Sequence, residues 1–513
     1  MISTTPPLTR LKLLCLGILA LHGLADCPAA TQVSGIIAGQ TWTTNGSPYQ
    51  VNGDLLVASL NIRPGVEVRF MGNFAFEVAG RLNAAGEAGA MIHFRPDNPS
   101  TGWQGIFFNE SPTGSTLDYC RIEGSVKSGI RVINSDPVIR RSIISNNTTT
   151  NNGSGAGIVA ELKSGHVIVQ SCVITNNRAI GKSSGGGAAA VSPGRITISN
   201  SYIAHNSSGY FGGGLWAHDG GQFIVSNSLI TSNRSAWGGG ARTDGGRLDF
   251  RNCTILKNEP DALSTYEGTI TVTNSVVHLN GTGEWLTQSQ SSVTVAYSSI
   301  QGSTPVAGLG NKAGNPVLHP VTFELLQGSP CIDAGNPNNA YNDICFPPSM
   351  GGARNDMGVF GGPGACLGVG LGSDDADGDG LPDNWEIEYF GTITSQNAAG
   401  DADQDKLTNA GEYKAGTHPT KIDTDGDGYS DFAEIRSQSD PLDPKSIPPA
   451  DLILTVEQVR LEFVAGMNEK VAIQRSSDLT QWTDVELITG TGEIVTRIYT
   501  VSDGQRYFKT VRR

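Results

Sequence analysis

The chain has 513 residues, a formal net charge of −14 and 66 glycines. Its 38% of hydrophobic residues excludes a disordered polyelectrolyte. The excess of acidic over basic residues argues against a nucleic-acid partner, because affinity for phosphates needs concentrated Lys and Arg. Glycine at nearly twice its usual frequency disfavours a helical bundle.

The net charge is concentrated in one segment. Residues 371–445 hold 18 acidic and five basic residues, so this stretch accounts for almost all of the net charge. It divides the chain into a long, nearly neutral part before it and a short part after it, and a block of this kind needs its own explanation.

The N-terminus predicts a secretory signal peptide over residues 1–30. Two basic residues precede an apolar run that ends at Leu24, and Ala25 and Ala30 offer cleavage positions. The run is too short to span a membrane comfortably, and no later segment approaches the roughly 20 apolar residues of a transmembrane helix. We therefore expect a secreted protein with no transmembrane segment.

Three cysteines, Cys331, Cys345 and Cys366, lie close together late in the chain. In an exported protein such a cluster favours a disulfide. We favour a bond between Cys331 and Cys345, although the spacing does not fix the pairing.

A degenerate repeat fills the region between the signal peptide and the acidic segment. One unit runs from Ile198 to Asn206, with Ser or Cys at its fourth place and Asn at its end. The Ser or Cys places are 22 to 30 residues apart and are occupied by Cys120, Ser142, Cys172, Ser201, Ser228, Cys253, Ser275 and Ser298. This step matches one coil of a β-solenoid, in which short strands stack on those of the next coil. The predicted fold class is therefore all-β, with a parallel β-helix.

The repeat gives structural roles to residues that could otherwise suggest chemistry. The repeat cysteines share their place with serines, which predicts small core side chains rather than a metal site. Since Asn tolerates left-handed backbone, we expect a ladder of turns from the recurring Asn147, Asn177, Asn206, Asn233, Asn258 and Asn280. Glycine runs beginning at Gly185, Gly212 and Gly238 predict tight corners rather than phosphate loops, which would need a Lys and a following helix.

Two stretches resemble parts of known proteins. Residues 60–108, with Gly102-Trp103-Gln104-Gly105, are similar to the first coils of secreted right-handed parallel β-helix proteins of the pectate-lyase-like superfamily. Residues 329–361 resemble the segment that closes such helices. The resemblance implies a right-handed parallel β-helix with a closing segment over residues 31–365, and it implies no activity.

The acidic segment contains three loops with the spacing of an EF-hand calcium loop, with oxygen-bearing side chains at places 1, 3, 5, 9 and 12. The first loop has Asp375, Asp377, Asp379, Asp383 and Glu386, the second has Asp401, Asp403, Asp405, Asn409 and Glu412, and the third has Asp423, Asp425, Asp427, Asp431 and Glu434. Three copies of this spacing favour Ca²⁺ as a cofactor over a solvated acidic linker. Lys406 stands where glycine is expected, so we expect a weaker turn in the second loop.

A short helix can follow each loop, but no clear helix precedes it. The segment therefore resembles thrombospondin type 3 or dockerin-like repeats rather than paired EF-hands. The resemblance implies a stalk over residues 371–447 that calcium makes rigid. Without calcium, we expect the carboxylates to repel one another and the segment to loosen.

Alternating apolar residues after a Pro-Pro pair predict a small β-sandwich over residues 451–513. Trp482 fits the core of that sandwich better than a sugar-binding platform. The module resembles terminal modules of large secreted bacterial proteins, which implies a location outside a bacterial cell or on its surface.

One face of the solenoid gathers residues that could carry chemistry. Aligning the glycine corners places Trp216 beside Arg242 and His218 beside Asp244, with Tyr266 in the next coil, and strand alternation turns them outward. Trp216 and Tyr266 are candidates for ligand binding. His218, Arg242 and Asp244 are candidates for a base and a charge neutraliser in β-elimination. An ordinary solvated face explains the same residues.

We expect a monomeric, calcium-binding β-helix protein that binds a polysaccharide or a cell-surface component without catalysis. The alternative is a polysaccharide lyase or glycoside hydrolase that acts on an acidic glycan. Neither the paired aspartates of polygalacturonases nor the Asp/Lys/Arg set of pectate lyases can be aligned with the repeat.

Overall fold

In the computed structural model of the protein, the described residues are 30–150, 152–163, 165–281, 283–288, 290–302, 304–319, 323–345, 349–367, 379, 381–390, 395–437, 439–448, 458–476, 480–500 and 507–513. Residues 1–29 of the predicted signal peptide lie outside them, as do Asp375 and Asp377 of the first loop. Over the described ranges, no helix has the length and apolar character needed to cross a membrane.

The chain winds into a parallel β-solenoid whose strands form three sheets along its length, as predicted. Each strand pairs in parallel with its counterpart in the next coil, so that Trp216 lies beside Arg242, and Phe223 beside Leu248. In the first coils, Thr31–Ile37 and Phe76–Ala85 each pair in two of the sheets. Tyr49–Ile62 is long and bent enough to pair in all three.

The later strands divide among the sheets as follows. The first sheet continues with Ile106–Asn109, Ile130–Ile133, Ile158–Glu161, Ala188–Val191, Leu215–His218, Ala241–Asp244, Asp261–Tyr266 and Gly283–Gln288. The second contains Gln40–Trp42, Thr116–Asp118, Val138–Arg140, His166–Gln170, Arg195–Ser199, Gln222–Ser226, Arg247–Arg251, Thr269–Thr273 and Ser292–Ala296. The third contains Glu67–Phe70, Ile92–Pro96, Cys120–Glu123, Ile143–Ser145, Val173–Thr175, Tyr202–Ala204, Leu229–Thr231, Thr254–Leu256, Val276–His278 and Ser299–Ile300. A short ladder joins Thr148–Thr149, Arg178–Ala179 and Ser207–Ser208, and 3₁₀ turns span Thr44–Gly46, Asn339–Tyr341 and Ala365–Leu367.

The interior of the solenoid is one column of apolar side chains. In Gln222–Ser226, Phe223 and Val225 point inward and are buried, while the alternate residues are partly exposed. Near the first coils the column is aromatic, and the rings of Phe70 and Trp103 stack with centroids 4.1 Å apart. Each such buried side chain contributes about 1.5–3 kcal/mol relative to an exposed one. No coil could bury these residues alone, so the stack folds as a unit.

The recurring asparagines form an internal ladder. Asn206 Nδ2 donates to Asn233 Oδ1 at 3.0 Å and to the carbonyl of Ile174 at 2.8 Å, and the same pairing runs from Asn147 to Asn280. The expectation that these residues take left-handed backbone was wrong. The residue before each one does so, as with His205 at φ 54°, because this turn aims the following amide inward. Each ladder amide thereby satisfies backbone groups that water cannot reach.

The Ser and Cys places form a second internal ladder. The amide of Cys172 donates to Ser201 Oγ at 3.1 Å, and the amide of Ser201 donates to Ser228 Oγ at 3.1 Å. Burial raises the pKa of Cys172 to about 12, so the thiol stays neutral and unreactive. The repeat cysteines are core residues, as predicted.

The glycine corners combine an unusual backbone with close packing. Gly212 has φ 59°, in the left-handed region that favours glycine. A Cβ on the following Gly213 would lie 2.5 Å from the carbonyl oxygen of Gly239 in the next coil. Successive coils can therefore approach closely enough here to exchange backbone hydrogen bonds.

A closing segment, residues 329–367, runs back along the outside of the third sheet. Its carbonyl groups accept hydrogen bonds from Asn side chains at the turns leading into that sheet. Asn200, Asn227 and Asn252 donate to Gly364, Val359 and Asp356 at 2.7, 3.0 and 3.0 Å, respectively. Outward-facing Tyr202 and Leu229 pack with Val359 beneath the segment. The third sheet is thus covered here, which explains why its outer positions are apolar.

The disulfide of the closing segment joins Cys345 to Cys366, and the predicted Cys331–Cys345 bond was wrong. Cys331 is fully buried in an apolar cluster with Val276 and Met357. Its thiol faces the solenoid, whereas the bonded cysteines bracket the strip that crosses the third sheet. The bond therefore fastens that strip at both ends.

The remaining elements follow the acidic loops. The helices α1 (Asp383–Phe390), α2 (Asn409–Ala415) and α3 (Asp431–Ser437) begin near the ninth place of each loop. A C-terminal sandwich comprises an antiparallel pair, Gln458–Val464 with Ile494–Thr500, and a sheet in which Lys470–Ser476 lies between Thr483–Thr489 and Tyr507–Arg512.

The two sheets of the C-terminal sandwich share one core. Phe463 from one sheet packs in the same buried cluster as Val471 and Phe508 from the other, as predicted. Trp482 was expected in this core but is only partly buried, with Lys509 Nζ 4.2 Å from its ring centroid. It lies directly before Thr483–Thr489, where Lys509 covers one ring face.

Candidate functional site

The second loop folds around its own carboxylates. Asp401 accepts hydrogen bonds from the amides of Gln404 at 2.7 Å and Lys406 at 3.0 Å, and Asp403 accepts from the amide of Asp405 at 3.2 Å. Lys406 occupies the glycine place with φ 85°, so the turn forms in spite of the side chain. The expected weakness is therefore backbone strain at Lys406 rather than a lost turn.

The third loop repeats this arrangement place by place. Asp423 accepts from the amides of Gly426 at 2.7 Å and Gly428 at 2.8 Å, and Asp425 accepts from the amide of Asp427 at 3.2 Å. In the second and third loops, one oxygen from each of the first three aspartates lies within 4.8 Å of the others. These contacts fix the loops with three carboxylates converging on one point.

The twelfth-place glutamates lie beneath the two clusters. Glu412 on α2 and Glu434 on α3 are fully buried, and within the described part of the chain Glu412 Oε2 and both oxygens of Glu434 have no hydrogen-bond partner. Burial, followed by repulsion from neighbouring carboxylates, raises the pKa of each to about 9. A buried carboxylate without a partner is costly. A divalent cation among these oxygens would remove that cost.

Further unpaired oxygens lie at the same two clusters. They are Asp403 Oδ2 and Asn409 Oδ1 in the second loop, and Asp425 Oδ2 and Asp427 Oδ2 in the third, again with reference to the described residues. Oxygen ligands in this number and spacing suit Ca²⁺, which takes six to eight oxygens in a flexible geometry. The residues present fit calcium.

Asp431, the ninth residue of the third loop, lies close to carboxylates of both loops. Its carboxylate accepts from the amide and hydroxyl of Thr424 at 2.9 and 2.7 Å. Burial raises its pKa to about 7, and repulsion from Asp405 and Asp403 adds to this. Asp431 also raises the pKa of Glu412. Asp431 raises the pKa of Glu434 in its own loop as well. Its carboxylate therefore acts on both loops, whereas spacing alone assigned it to the third.

The first loop is described only in its second half. Asp379 accepts from the amide of Leu381 at 2.8 Å, as fifth-place aspartates do in the other two loops, and from the amide of Ala398 at 2.6 Å. Glu386 on α1 is fully buried. Asp383 begins α1. Ca²⁺ ligation by Asp375 and Asp377 remains a prediction outside the described residues.

On the solenoid, the predicted register of the outer-face residues is confirmed. Trp216 pairs with Arg242, and His218 with Asp244, which in turn pairs with Tyr266. The five residues lie on the outer side of the first sheet. Their accessibility, however, differs widely.

Arg242 and Asp244 are bound to each other. Arg242 Nη2 lies 2.6 Å from Asp244 Oδ1, and Trp216 Nε1 donates to Asp244 Oδ2 at 2.8 Å. Arg242 Nη1 donates to Ser264 Oγ at 2.6 Å. The side chains of Arg242 and Asp244 are only 5% and 11% exposed. Their charges neutralise one another beneath the surface and do not face solvent.

Trp216 and His218 form a stacked pair. Their ring centroids are 4.8 Å apart with an interplanar angle of 10°, and Trp216 is 8% exposed. Among the described residues, the Nδ1 atom of His218 has no hydrogen-bond partner, so the expected His218–Asp244 pair does not form through that atom. Trp216 lies beneath the surface, His218 is partly exposed, and Tyr266, at 40% exposure, is the most exposed ring of this set.

Tyr210, Phe211 and Trp237 form an aromatic ledge that was not predicted from the sequence. The Tyr210 ring lies 3.9 Å from Phe211 and 5.6 Å from Trp237, centroid to centroid, and Phe211 forms a bridge with Trp237 between coils. Arg242 lies 4.2 Å over the Phe211 ring. Tyr210 and Trp237 are 39% and 38% exposed. An aromatic residue immediately before two successive glycine corners was the available signal.

Comparison with protein families matches two parts of the chain. The family described as right handed beta helix region matches residues 92–182 and 144–300, which are coils of the solenoid. The family described as clostridial binary toxin B/anthrax toxin PA Ca-binding domain matches residues 374–445, which contain the three acidic loops. No curated protein and no solved structure matches the chain.

Proposed function

We propose that this right-handed β-helix protein is secreted, holds calcium in its acidic loops and binds a polysaccharide along its first sheet without catalysis. The observation that carries the proposal is the aromatic ledge, where the exposed rings of Tyr210 and Trp237 pack with Phe211. The Phe211 ring in turn lies against the guanidinium of the buried Arg242. One face of a sugar ring carries apolar C–H groups, which stack on aromatic rings. Successive coils of the solenoid would repeat such contacts along an extended polysaccharide chain.

Calcium would stiffen the part of the chain that follows the solenoid. The residues proposed to hold it are the carboxylates of the second and third loops, with Asn409, Glu412 and Glu434, and by repetition those of the first loop. The ion supplies positive charge at oxygens that otherwise repel one another. Asp431 would add negative charge near the calcium ion of the second loop, and it would also accept the hydrogen bonds that hold the turn at Thr424.

The outer face supports binding more than catalysis. A base and a charge neutraliser for β-elimination must reach the substrate, but Arg242 and Asp244 are paired and nearly covered. His218 stacks on Trp216. The surface that solvent reaches is formed by aromatic rings, so stacking rather than charge should dominate recognition.

Binding is tested with the full chain against immobilised neutral polysaccharides, polyuronates and sulfated glycans. We expect Trp237→Ala and Tyr210→Ala each to weaken binding about tenfold or more, with little dependence on salt. Tyr507→Ala is the matched control, since Tyr507 is an exposed ring of the C-terminal sandwich. Binding that survives both ledge substitutions, or no binding to any glycan, would contradict the proposal.

Catalysis is tested on the same polysaccharides with calcium added. Lyase products absorb in the ultraviolet, and hydrolysis creates new reducing ends. We expect neither signal. Turnover that His218→Ala abolishes would replace the binding proposal with the lyase or hydrolase alternative.

A further inference from the structure

The third loop is hydrogen-bonded directly to the C-terminal sandwich. The carbonyl of Gly428 accepts from the amide of Met467 at 2.9 Å, and the amide of Ser430 donates to the carbonyl of Gly492 at 3.1 Å. Gly428 and Ser430 are the sixth and eighth residues of the loop. The loop backbone therefore serves as part of the surface on which the sandwich rests.

Tyr429, the residue between them, is enclosed by the sandwich. Its hydroxyl donates to Glu469 Oε2 at 2.6 Å, and the Arg512 guanidinium lies 5.4 Å from its ring centroid. Arg512 Nη1 also donates to Glu469 Oε1 at 2.6 Å. The Tyr429 side chain is 4% exposed, in an apolar cluster with Ala433 and Val464. A carboxylate and a guanidinium of the sandwich, Glu469 and Arg512, thus enclose the side chain of one loop residue, Tyr429.

Two ion pairs extend this contact. Lys406 of the second loop lies 3.1 Å from Glu493, and Arg436 of α3 lies 3.1 Å from Glu462. The Lys406 side chain is 63% exposed, so this pair guides orientation more than it stabilises. The second loop and the helix that begins in the third loop therefore both contact the sandwich.

We propose that calcium in the third loop completes an interaction surface for the C-terminal sandwich, so that the sandwich is docked when calcium is bound and released when it is removed. This inference rests on the calcium binding proposed above. In a loop of this type the backbone carbonyl of the seventh residue is a ligand, and here that residue is Tyr429. Fixing this one carbonyl fixes the Tyr429 ring and the flanking hydrogen bonds to Met467 and Gly492.

The coupling acts in both directions. If bound calcium favours the docked sandwich, the docked sandwich must raise the calcium affinity of the third loop by the same factor. Without the ion, the carboxylates of Asp423, Asp425 and Asp427 repel one another, and the Tyr429 turn has less to hold it. The sandwich contacts then lose their rigid base.

Docking is measured by hydrogen exchange and mass spectrometry on the full chain, with calcium and with a chelator. We expect chelation to increase exchange at least tenfold in peptides that contain the Met467 and Ser430 amides. Peptides of the solenoid strand Gln222–Ser226 should not change. Calorimetry on the same samples reports calcium binding independently.

Arg512→Ala and Tyr429→Phe test the contact without removing a calcium ligand. We expect both to keep the calcium stoichiometry, to lose the calcium-dependent protection at Met467 and to weaken one calcium site about fivefold or more. Arg513→Ala is the matched control, because Arg513 pairs with Asp484 within the sandwich at 2.8 Å. It should leave both measurements unchanged.

The possible failures are distinguishable. Calcium binding with no change in protection at Met467 would overturn the docking inference and leave the calcium proposal intact. Absence of calcium binding in the calorimeter would overturn both. A loss of protection in Arg513→Ala equal to that in Arg512→Ala would also overturn the inference, since it would indicate general loosening of the sandwich.

Discussion

Asp405 Oδ2 accepts a hydrogen bond from the backbone amide of Phe432 at 2.9 Å, so a carboxylate of the second loop caps the helix that follows the third loop. Asp431, the residue before Phe432, lies close enough to the second loop to raise the pKa of Glu412. The two loops therefore share both a hydrogen bond and an electrostatic field. The second and third loops therefore form one structural unit rather than two independent calcium sites.

This sharing predicts that a change in the third loop is felt in the second. Glu434→Gln removes one carboxylate from the third loop and should weaken that site about tenfold or more. Through Asp431 and the Asp405–Phe432 bond, calcium affinity in the second loop should fall severalfold as well. Titration calorimetry on the full chain measures both sites. Glu259→Gln, on the solenoid surface, is the control, and an unchanged second site would show that the loops are independent.

The asparagine ladder should be a main source of solenoid stability. Asn206→Ala removes the two bonds that Asn206 Nδ2 donates to the carbonyl of Ile174 and to Asn233 Oδ1. It also removes the Oδ1 atom that accepts from the backbone and side-chain amides of Asn177. The expected loss is about 1–3 kcal/mol, which lowers the thermal midpoint by a few degrees. Asn52→Ala, at an exposed position, should have little effect. Equal midpoints for the two variants would mean that the ladder is not needed for stability.

The solenoid could be predicted from sequence because its coils repeat. The step between Cys172 and Ser201 is that of one coil, and the structure places these residues in adjacent coils, joined by a hydrogen bond. Local pattern and long-range pairing give the same information in such a fold. The register of Trp216 with Arg242 followed from the same repetition.

What repetition does not encode was missed. Burial of Trp216 depends on Phe211, which packs against it from a corner, and no period predicts that contact. The Cys345–Cys366 bond depends on the path of a closing segment that occurs once. The orientation of Asp431 depends on how one loop packs on the next, which spacing within a loop cannot reveal.

The closing segment should loosen as pH rises. Burial, with repulsion from Asp356 and Asp333, raises the pKa of Asp343 to about 7, and burial raises the pKa of Asp356 to about 6. Because these folded-state pKa values lie above the unfolded value near 3.8, their contribution to stability is complete below about pH 4 and is lost as pH rises through 6 to 7.

The pH effect is measured as the difference in thermal midpoint between pH 5 and pH 8 with calcium constant, conditions chosen to bracket about one unit either side of these pKa values. We expect the difference to be smaller in Asp343→Asn than in the wild type, because the amide does not titrate. Asp97→Asn, at an exposed site, should behave like the wild type. If the difference in Asp343→Asn equals that of the wild type, titration of Asp343 does not cause the pH effect.

Lys406 has an unfavourable backbone conformation, whereas its side chain makes a favourable contact with Glu493. Its left-handed backbone, φ 85°, costs about 1–2 kcal/mol for a residue with a Cβ, whereas Gly428 takes φ 98° at the same place in the third loop without that cost. Lys406→Gly should therefore relieve about 1 kcal/mol and tighten calcium binding in the second loop about fivefold. Lys406→Gln keeps the Cβ and should not tighten it. Both variants lose the contact with Glu493, so the difference between them isolates the backbone. Equal calcium affinities of the two variants by calorimetry would show that the backbone of Lys406 stores no strain that calcium binding relieves.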